Sequence, residues 1–392
     1  MSPDLPTDRS ADPPGAPTPG LPTQESVRAA LATVIDPELR RPITELGMLD
    51  TVAIDGHAVS IRVLLTIAGC PLRDTIVRDA GTALSAVDGV EQVDVELGVM
   101  DQRQRDALKD LLKGEGGRRG IPFNTPESLT RVYAVASGKG GVGKSSVTVN
   151  LAVAMAARGL RVGIVDADVY GFSVPALMGI TQQPTRVDEL ILPPVAHGVK
   201  VISIGMFVEG NQPISWRGPM LHRALEQFLT DVYFGDLDVL FLDLPPGTGD
   251  IAISVAQLLP SSELLVVTTP QSAAADVAER AGAMAAQTGQ RVAGVIENMS
   301  WLELPDGGRL ELFGAGGGAT LAARLSTALD ADIPLLGSIP LDVALREGGD
   351  DGRPLVLGSA PSKARTELTG IAAALARRPR GLDGLRLPVS VR

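Results

Sequence analysis

Gly138-Lys139-Gly140-Gly141-Val142-Gly143-Lys144-Ser145 reads as G-x-x-x-x-G-K-[ST], a loop suited to holding phosphate. Its glycines let backbone N–H groups turn toward phosphate oxygens, and a helix starting at Lys144 adds the positive end of its dipole. In this reading Lys144 reaches the β- and γ-phosphates and Ser145 offers its hydroxyl to Mg²⁺. Ser146 follows in the same first turn as a further cofactor-binding candidate. The chain has only six lysines, and two of them, Lys139 and Lys144, fall inside this loop. The pattern does not require Lys139. The competing reading is a glycine-rich turn between a strand and a helix that matches by chance.

Context favours the phosphate loop. A buried strand is predicted over 131–137 and an amphipathic helix over 145–158, the two elements the motif demands. Beyond them strand and helix patterns alternate. Val/Ile/Leu-rich runs at 132–136, 161–166, 200–204, 239–243, 263–268, 292–297 and 333–339 read as strands. Helices are predicted over 219–233, 273–287, 318–329 and 363–376. Apolar runs of this kind belong to a parallel sheet covered on both faces. The fold class is therefore α/β: a parallel-sheet P-loop NTPase domain with helices on both faces over 130–378, preceded by a small α+β domain at 23–100.

In the small domain Val27, Leu31, Val34 and Ile35 recur at helical spacing. Strands are predicted over 58–65 and 90–97, with a helix over 73–86 between them. Residues 101–129 combine a charged helix over 102–113 with a Gly/Arg-rich stretch, and read as a linker. Residues 1–22 carry seven prolines and almost nothing apolar, the composition of a disordered leader. Residues 379–392 read as a mobile tail. No internal repeat is visible.

Composition narrows the function classes. A net charge of −11 argues against nonspecific nucleic-acid binding, which needs clustered Lys and Arg. No stretch approaches the roughly 20 apolar residues of a membrane span, and no basic region leads an apolar core at the start as in a secretory signal. The helix over 363–376 lacks the continuous charged face of a membrane-surface helix, so no stable membrane association is expected. One cysteine, Cys70, leaves no internal disulfide framework. A cytoplasmic protein is expected.

Three further stretches suit one nucleotide site. The run 161–168 delivers Asp166 and Asp168 to the C-terminal end of a strand, where ligands bind in open α/β sheets. Two carboxylates there favour a catalytic pair over a simple strand-end cap. The run 237–243 is an apolar strand ending in Asp243, suited to ordering Mg²⁺ through water. Leu244-Pro-Pro-Gly-Thr-Gly-Asp250 follows, with glycines that let backbone N–H groups approach a γ-phosphate and rearrange when it leaves. Asp168 is the candidate for orienting the attacking water, with Asp166 near the metal. Asn298, at another strand end, has an amide able to read an adenine edge; an Asx turn or N-cap is the equal alternative. His57, His197 and His222 show no metal-ligand spacing. Gly314-Ala-Gly-Gly-Gly318 lacks the Lys-Ser of a second phosphate loop and reads as a flexible helix start.

Gly138–Ser145, Asp166-Ala-Asp-Val-Tyr-Gly-Phe-Ser173, Leu242-Asp-Leu-Pro-Pro-Gly-Thr-Gly-Asp250 and Glu297-Asn-Met-Ser300 together resemble the Mrp/ApbC family. These are iron–sulfur cluster carrier ATPases of the MinD/ParA/nitrogenase-iron-protein class. The small domain resembles the SufT-like domain often fused to them, through Asp36-Pro-Glu-Leu39, Glu45-Leu-Gly-Met48 and Leu65-Thr-Ile-Ala-Gly-Cys-Pro71. The resemblance implies a homodimer that binds and hydrolyses ATP with Mg²⁺ and transfers clusters to apoproteins, with client proteins and assembly proteins as partners. It also implies that Lys139 is the extra lysine of a deviant Walker A loop and crosses the dimer interface to the partner's nucleotide. Asn298 would contact adenine, and Pro340 and Asp342 would border the base.

One departure bears on the cargo. The family usually carries Cys-x-x-Cys after the Asn-Met-Ser element, two ligands per protomer for a bridging [4Fe–4S] cluster. Leu304 and Gly307 stand in those places, with Pro305 between them. A cluster of this type is held by four ligands, normally thiolates, whereas a dimer of this chain owns two cysteines, both Cys70. The usual bridging site therefore cannot form, and an iron–sulfur cofactor is in doubt. Cys70 precedes a predicted helix start, where a thiol gains reactivity, and is a candidate labile cluster ligand; a small buried cysteine is the other reading. The alternative function is an ATP-switched scaffold that positions partners and holds no cluster.

Overall fold

The computed structural model describes residues 20–67, 72–113, 120–125, 127–207, 218–247, 249–271 and 285–377. The leader up to residue 19, Cys70, the Gly/Arg-rich stretch 114–119, Thr248, most of the predicted helix over 273–287 and the tail from 378 lie outside them. The chain divides into two units, Met1–Leu108 and Lys109–Arg392.

In the first unit α1 (Gln24–Leu31) starts at a capping box, Thr23 and Ser26 each bonding the other's backbone N–H. The hairpin of β1 (Leu49–Asp55) and β2 (Ala58–Leu65) turns at Gly56-His57. From β2 the chain crosses through α2 (Arg73–Ser85) to β3 (Gln92–Val99), which pairs with β2 in parallel; α3 (Gln102–Lys113) follows, and the division between the units falls within it. The helical spacing of Val34 and Ile35 misleads, because α1 ends at Leu31. Pro37 disfavours helix at the residue before it, and Asp36 Oδ1 accepts from the Glu38 and Leu39 N–H groups at 2.9 and 2.8 Å, closing a turn. Val34 is buried from that turn, while Ile35 is 46% exposed. β1 was not predicted: half-exposed along its length, it has no apolar run to betray it.

The second unit is built on β4 (Arg131–Ser137), which leads through the glycine loop into α4 (Lys144–Ala156) and on to β5 (Val162–Asp166) and the short α5 (Val174–Leu177). The hairpin β6 (Thr185–Val187) and β7 (Leu190–Leu192) and the short β8 (Val195–Ala196) precede β9 (Val199–Ser203). Then come α6 (Gly218–Thr230), β10 (Val239–Asp243), α7 (Asp250–Leu258), β11 (Glu263–Thr268) and β12 (Arg291–Glu303). The unit closes with β13 (Arg309–Leu310), α8 (Gly317–Leu329), β14 (Leu335–Leu341), α9 (Val343–Asp350) and α10 (Lys363–Arg377).

All seven predicted strands lie in one sheet, ordered β9-β5-β10-β4-β11-β12-β14 and parallel throughout, with antiparallel β8 beside β9 and β13 beside the end of β12. Every residue of β5, β9 and β10 is buried, which is why their sequences run apolar without alternation. Because β10 inserts between β4 and β5, the loops after these three strands open together at one edge of the sheet. No helix among the described residues is long and apolar enough to cross a membrane.

The predicted amphipathic character of α4 is overturned: residues from Val147 to Met155 are all buried. The helix packs against β5 and β10 and is covered by α5 and α10. α10 contributes Leu368, Ile371 and Leu375, each buried and each stabilising by about 1.5–3 kcal/mol. Arg131 at the start of β4 donates to the Leu375 and Ala376 carbonyls at 2.6 and 3.1 Å, a cation at the negative end of α10.

One close approach fixes how α5 and α9 meet. Gly179 and Gly352 both have φ 65°, and a Cβ on Gly352 would lie 2.6 Å from the Gly179 backbone nitrogen. Gly352→Ala should therefore destabilise this unit by about 1–3 kcal/mol, from strain at positive φ together with overpacking. Urea unfolding followed by circular dichroism reads the loss; an unchanged midpoint would show that the two backbones do not touch.

Candidate nucleotide site

Gly143 caps the start of α4 with φ 80°, a left-handed turn that points the helix's first N–H groups into the loop. Lys144, Ser145 and Thr148 occupy one side of the first turn of α4, facing the end of β10. There Asp243, fully buried, is held by three groups. Lys144 Nζ lies 2.6 Å from Oδ2, Ser145 Oγ donates to Oδ2 at 2.5 Å, and Thr148 Oγ1 is 2.8 Å from Oδ1. A carboxylate removed from water is tolerated only with such partners. Thr148 was not singled out from the sequence. Its signal was there: a hydroxyl four residues after Lys144, on the same helix face.

A cleft of about 290 Å³ opens above this cluster, lined by Gly140, Gly143, Ser145, Ser146, Asp168 and Pro246 among others. The loop after β10 lies against the glycine loop, with the Gly247 N–H donating to the Ser137 carbonyl at 2.8 Å.

Asp166 and Asp168 come together after β5, but they face different tasks. Asp168 Oδ1 accepts from the Gly171 and Tyr170 N–H groups at 3.0 and 3.3 Å, and the residue lines the cleft. Asp166 sits behind it, fully buried. Its Oδ1 accepts from the Asp168 N–H at 3.2 Å, and its Oδ2 from Ser203 Oγ at 3.1 Å and the Val174 N–H at 3.3 Å. Burial, and after it the charge of Asp243, pushes the Asp166 carboxyl up to about 7.

The remaining candidates scatter around this centre. Lys139 Nζ donates to Gln271 Oε1 at 2.6 Å, a partner that sequence reading had no means to find across 132 positions. Asn298 turns its amide into the glycine loop, donating from Nδ2 to the Val142 carbonyl at 2.8 Å. Pro340 is the penultimate residue of β14. Asp342 caps α9, accepting from the Ala344 N–H at 2.8 Å and from Ser362 Oγ at 2.6 Å. Glu297 Oε2 accepts from the Gly318 N–H at 2.7 Å, so the glycine-rich start of α8 is satisfied by the chain's own carboxylate. His57 Nδ1 lies 2.6 Å from the Gly89 carbonyl and His197 Nε2 3.3 Å from that of Gly352. No cluster of His, Cys, Asp and Glu fit for a metal occurs among the described residues. Past Asn298, β12 runs on to a hairpin with β13. Leu304 and Gly307 form its turn, and Arg309 stacks 4.2 Å over the Trp301 ring.

Residues 128–376 match the family described as NUBPL iron-transfer P-loop NTPase, and residues 24–97 match one described as iron-sulfur cluster assembly protein. The chain is 60% identical over 364 residues to an iron-sulfur cluster carrier protein of Mycobacterium tuberculosis, covering 92% of this chain and 95% of that one. It is 36% identical over 355 residues to the Escherichia coli protein of the same name, covering 90% of each. Among solved structures it is similar to a nucleotide-binding protein of Archaeoglobus fulgidus in complex with ADP. That match has 37% identity and a TM-score of 0.51, and covers 60% of this chain and 94% of the other.

The raised Asp166 carboxyl has a thermodynamic signature. Below its ordinary value of 3.8 the group is neutral in the folded and unfolded chain alike and costs nothing; above about 7 the folded state carries the full penalty of a buried charge. Stability from this group therefore falls as pH rises through that window. Asp166→Asn loses the Val174 bond at every pH but removes the titration. In nucleotide-free, metal-free protein its melting temperature should rise relative to the parent's between about pH 4 and pH 7, by roughly 2–4 °C per kcal/mol recovered. A flat difference across that range would contradict the raised value.

Proposed function

The chain belongs to the NUBPL iron-transfer P-loop NTPase family, and from that membership we propose that it binds ATP with Mg²⁺, hydrolyses it as a homodimer and uses the cycle to deliver iron–sulfur clusters to apoproteins. The observation that carries this reading is the cluster of buried Lys144, Thr148 and Asp243 with half-buried Ser145 beneath a glycine loop. The donors suit Mg²⁺: a hydroxyl and a carboxylate, hard oxygen ligands, meet at 2.5 Å. Ser145 would hold the ion directly and Asp243 through water. When bound, the ion neutralises charge on the β- and γ-phosphate oxygens.

The chain's own residues supply the rest. Lys144 stands beside the loop to meet the β- and γ-phosphates. Asp168, held at the cleft by two backbone N–H groups, orients the attacking water, and Asp166 fixes the loop on which Asp168 stands. Phosphoryl transfer to water needs positioning and charge more than covalent chemistry, so this set suffices. Lys139 serves the partner's nucleotide in the dimer, leaving Gln271 to do so. The work belongs in the cytoplasm, where the one cysteine stays a thiol.

The cluster is cargo in this scheme. Each protomer owns one thiol, Cys70, so a carried cluster takes its other ligands from a client or assembly protein. The turn of the β12–β13 hairpin favours a second reading. It carries Leu304 and Gly307 and no thiol, which suits an ATP-switched scaffold that holds no cluster itself.

Asp168→Ala should leave ATP binding within about threefold and lower turnover by about 10²–10⁴, the usual worth of a positioned acid or base; phosphate release at saturating ATP measures it, and undiminished release would remove Asp168 from the mechanism. Lys139→Ala should abolish ATP-dependent dimerisation, read by light scattering with and without nucleotide. If dimer and hydrolysis both survive, the shared-site scheme is wrong. Anaerobic reconstitution with iron and sulfide should give a labile, visibly absorbing species that disappears in Cys70→Ala. Intact ATPase with no bound iron would favour the scaffold.

A further inference from the structure

The end of β12 is bent toward the glycine loop by a specific device. Asn298 pairs with Ile339 of β14, and the next pairing is Leu302 with Leu341, so three residues of β12 stand opposite one of β14. At this bulge Met299 has φ 57°, a left-handed conformation costing a non-glycine residue on the order of 1–3 kcal/mol. Such strain persists where the surroundings impose it. Its product is the placement of Asn298, buried to 3% exposure, with Nδ2 at 2.8 Å from the Val142 carbonyl. The amide enters the volume that a side chain at position 143 would occupy, and Met299 Cε lies 3.7 Å from the Cβ position of Gly143. Gly143 is thus glycine for two reasons, its φ of 80° and this approach.

A trans peptide points its C=O and its N–H in opposite directions, and the described residues contain no cis bond. Holding the Val142 carbonyl toward Asn298 therefore turns the Gly143 N–H away from Asn298, and both residues of this peptide line the cleft. We infer that Asn298 is a positioning residue for phosphate: it locks the Val142–Gly143 peptide plane so that the Gly143 N–H is presented to the ligand before any ligand arrives. The inference rests on the nucleotide-binding reading of the loop, and it assigns Asn298 a task that does not depend on the base. An unlocked peptide could rotate its carbonyl into the cleft and oppose a phosphate oxygen. A neutral amide is required, because a carboxylate of the same shape offers only acceptors to the carbonyl.

The test uses a probe with no base. Inorganic tripolyphosphate, ATP and GTP are titrated calorimetrically into the full-length parent, Asn298→Asp and Asn298→Ala, well below each protein's melting temperature. Asn298→Asp should bind tripolyphosphate about tenfold or more weakly and Asn298→Ala about three- to tenfold more weakly, with ATP and GTP weakened at least as much. With ¹⁵N-glycine labelling, the Gly143 amide resonance should respond to tripolyphosphate in the parent and not in Asn298→Asp, a change that general destabilisation does not produce. Should Asn298→Asp fail to fold, Asn298→Ala carries the comparison. Tripolyphosphate affinity within twofold of the parent in the folded variants overturns the inference, whatever happens to the ratio of ATP to GTP. A parent protein that binds none of the three probes overturns the nucleotide reading itself, and this inference with it.

Discussion

A single buried carboxylate organises the P-loop NTPase unit. Asp243 is surrendered to the protein interior at the end of a wholly apolar strand, and the chain meets the electrostatic demand from one helix turn: the ammonium of Lys144 and the hydroxyls of Ser145 and Thr148. For those groups to reach it, α4 must start where it does, the loop before it must be glycine-rich, and β10 must sit beside β4. The insertion of β10 between β4 and β5 then follows as a site requirement as much as a packing one. It brings the aspartates of two strands to one edge, close enough that the charge of Asp243 helps hold the proton on Asp166.

Much of this was legible in the sequence, and the reason is burial. Strands covered on both faces must be apolar at every position, so the seven runs announced themselves, and the acid that ends a run stood out against it. The failures share a reason as well. The half-exposed β1 has no such run. Val34 kept helical spacing from inside a turn, because a buried residue in a loop obeys the core and not the helix. The helix α4 looked amphipathic because Ser145, Ser146, Thr148 and Asn150 interrupt its apolar run, while α5 and α10 cover it. Pairings across long separations, such as Lys139 with Gln271 or Asn298 with Val142, leave no local trace, since each side chain is ordinary where it stands.

The unit also separates two capacities that its family's description joins. The groups that would recognise nucleotide lie at the ends of strands, in the loops that follow them and on one buried helix. The hairpin of β12 and β13, where the family resemblance places thiols, has leucine and glycine in its turn. The phosphate loop and the β12–β13 turn thus follow different strands of the same sheet, and at Leu304 and Gly307 the turn offers only aliphatic chemistry.

The Arg309–Trp301 stack gives this chain an optical property of practical use. It has two tryptophans, Trp216, outside the described residues, and Trp301, three positions beyond Asn298 on the same strand. A guanidinium held 4.2 Å over the indole gives the ring a charged neighbour whose displacement would change its surroundings. With aromatic residues only 3% of the chain, little else competes with the indole emission, and replacing Trp216 by phenylalanine would isolate it. The protein thus contains its own fluorophore beside the strained bend of β12, and stopped-flow mixing could time events there without a label.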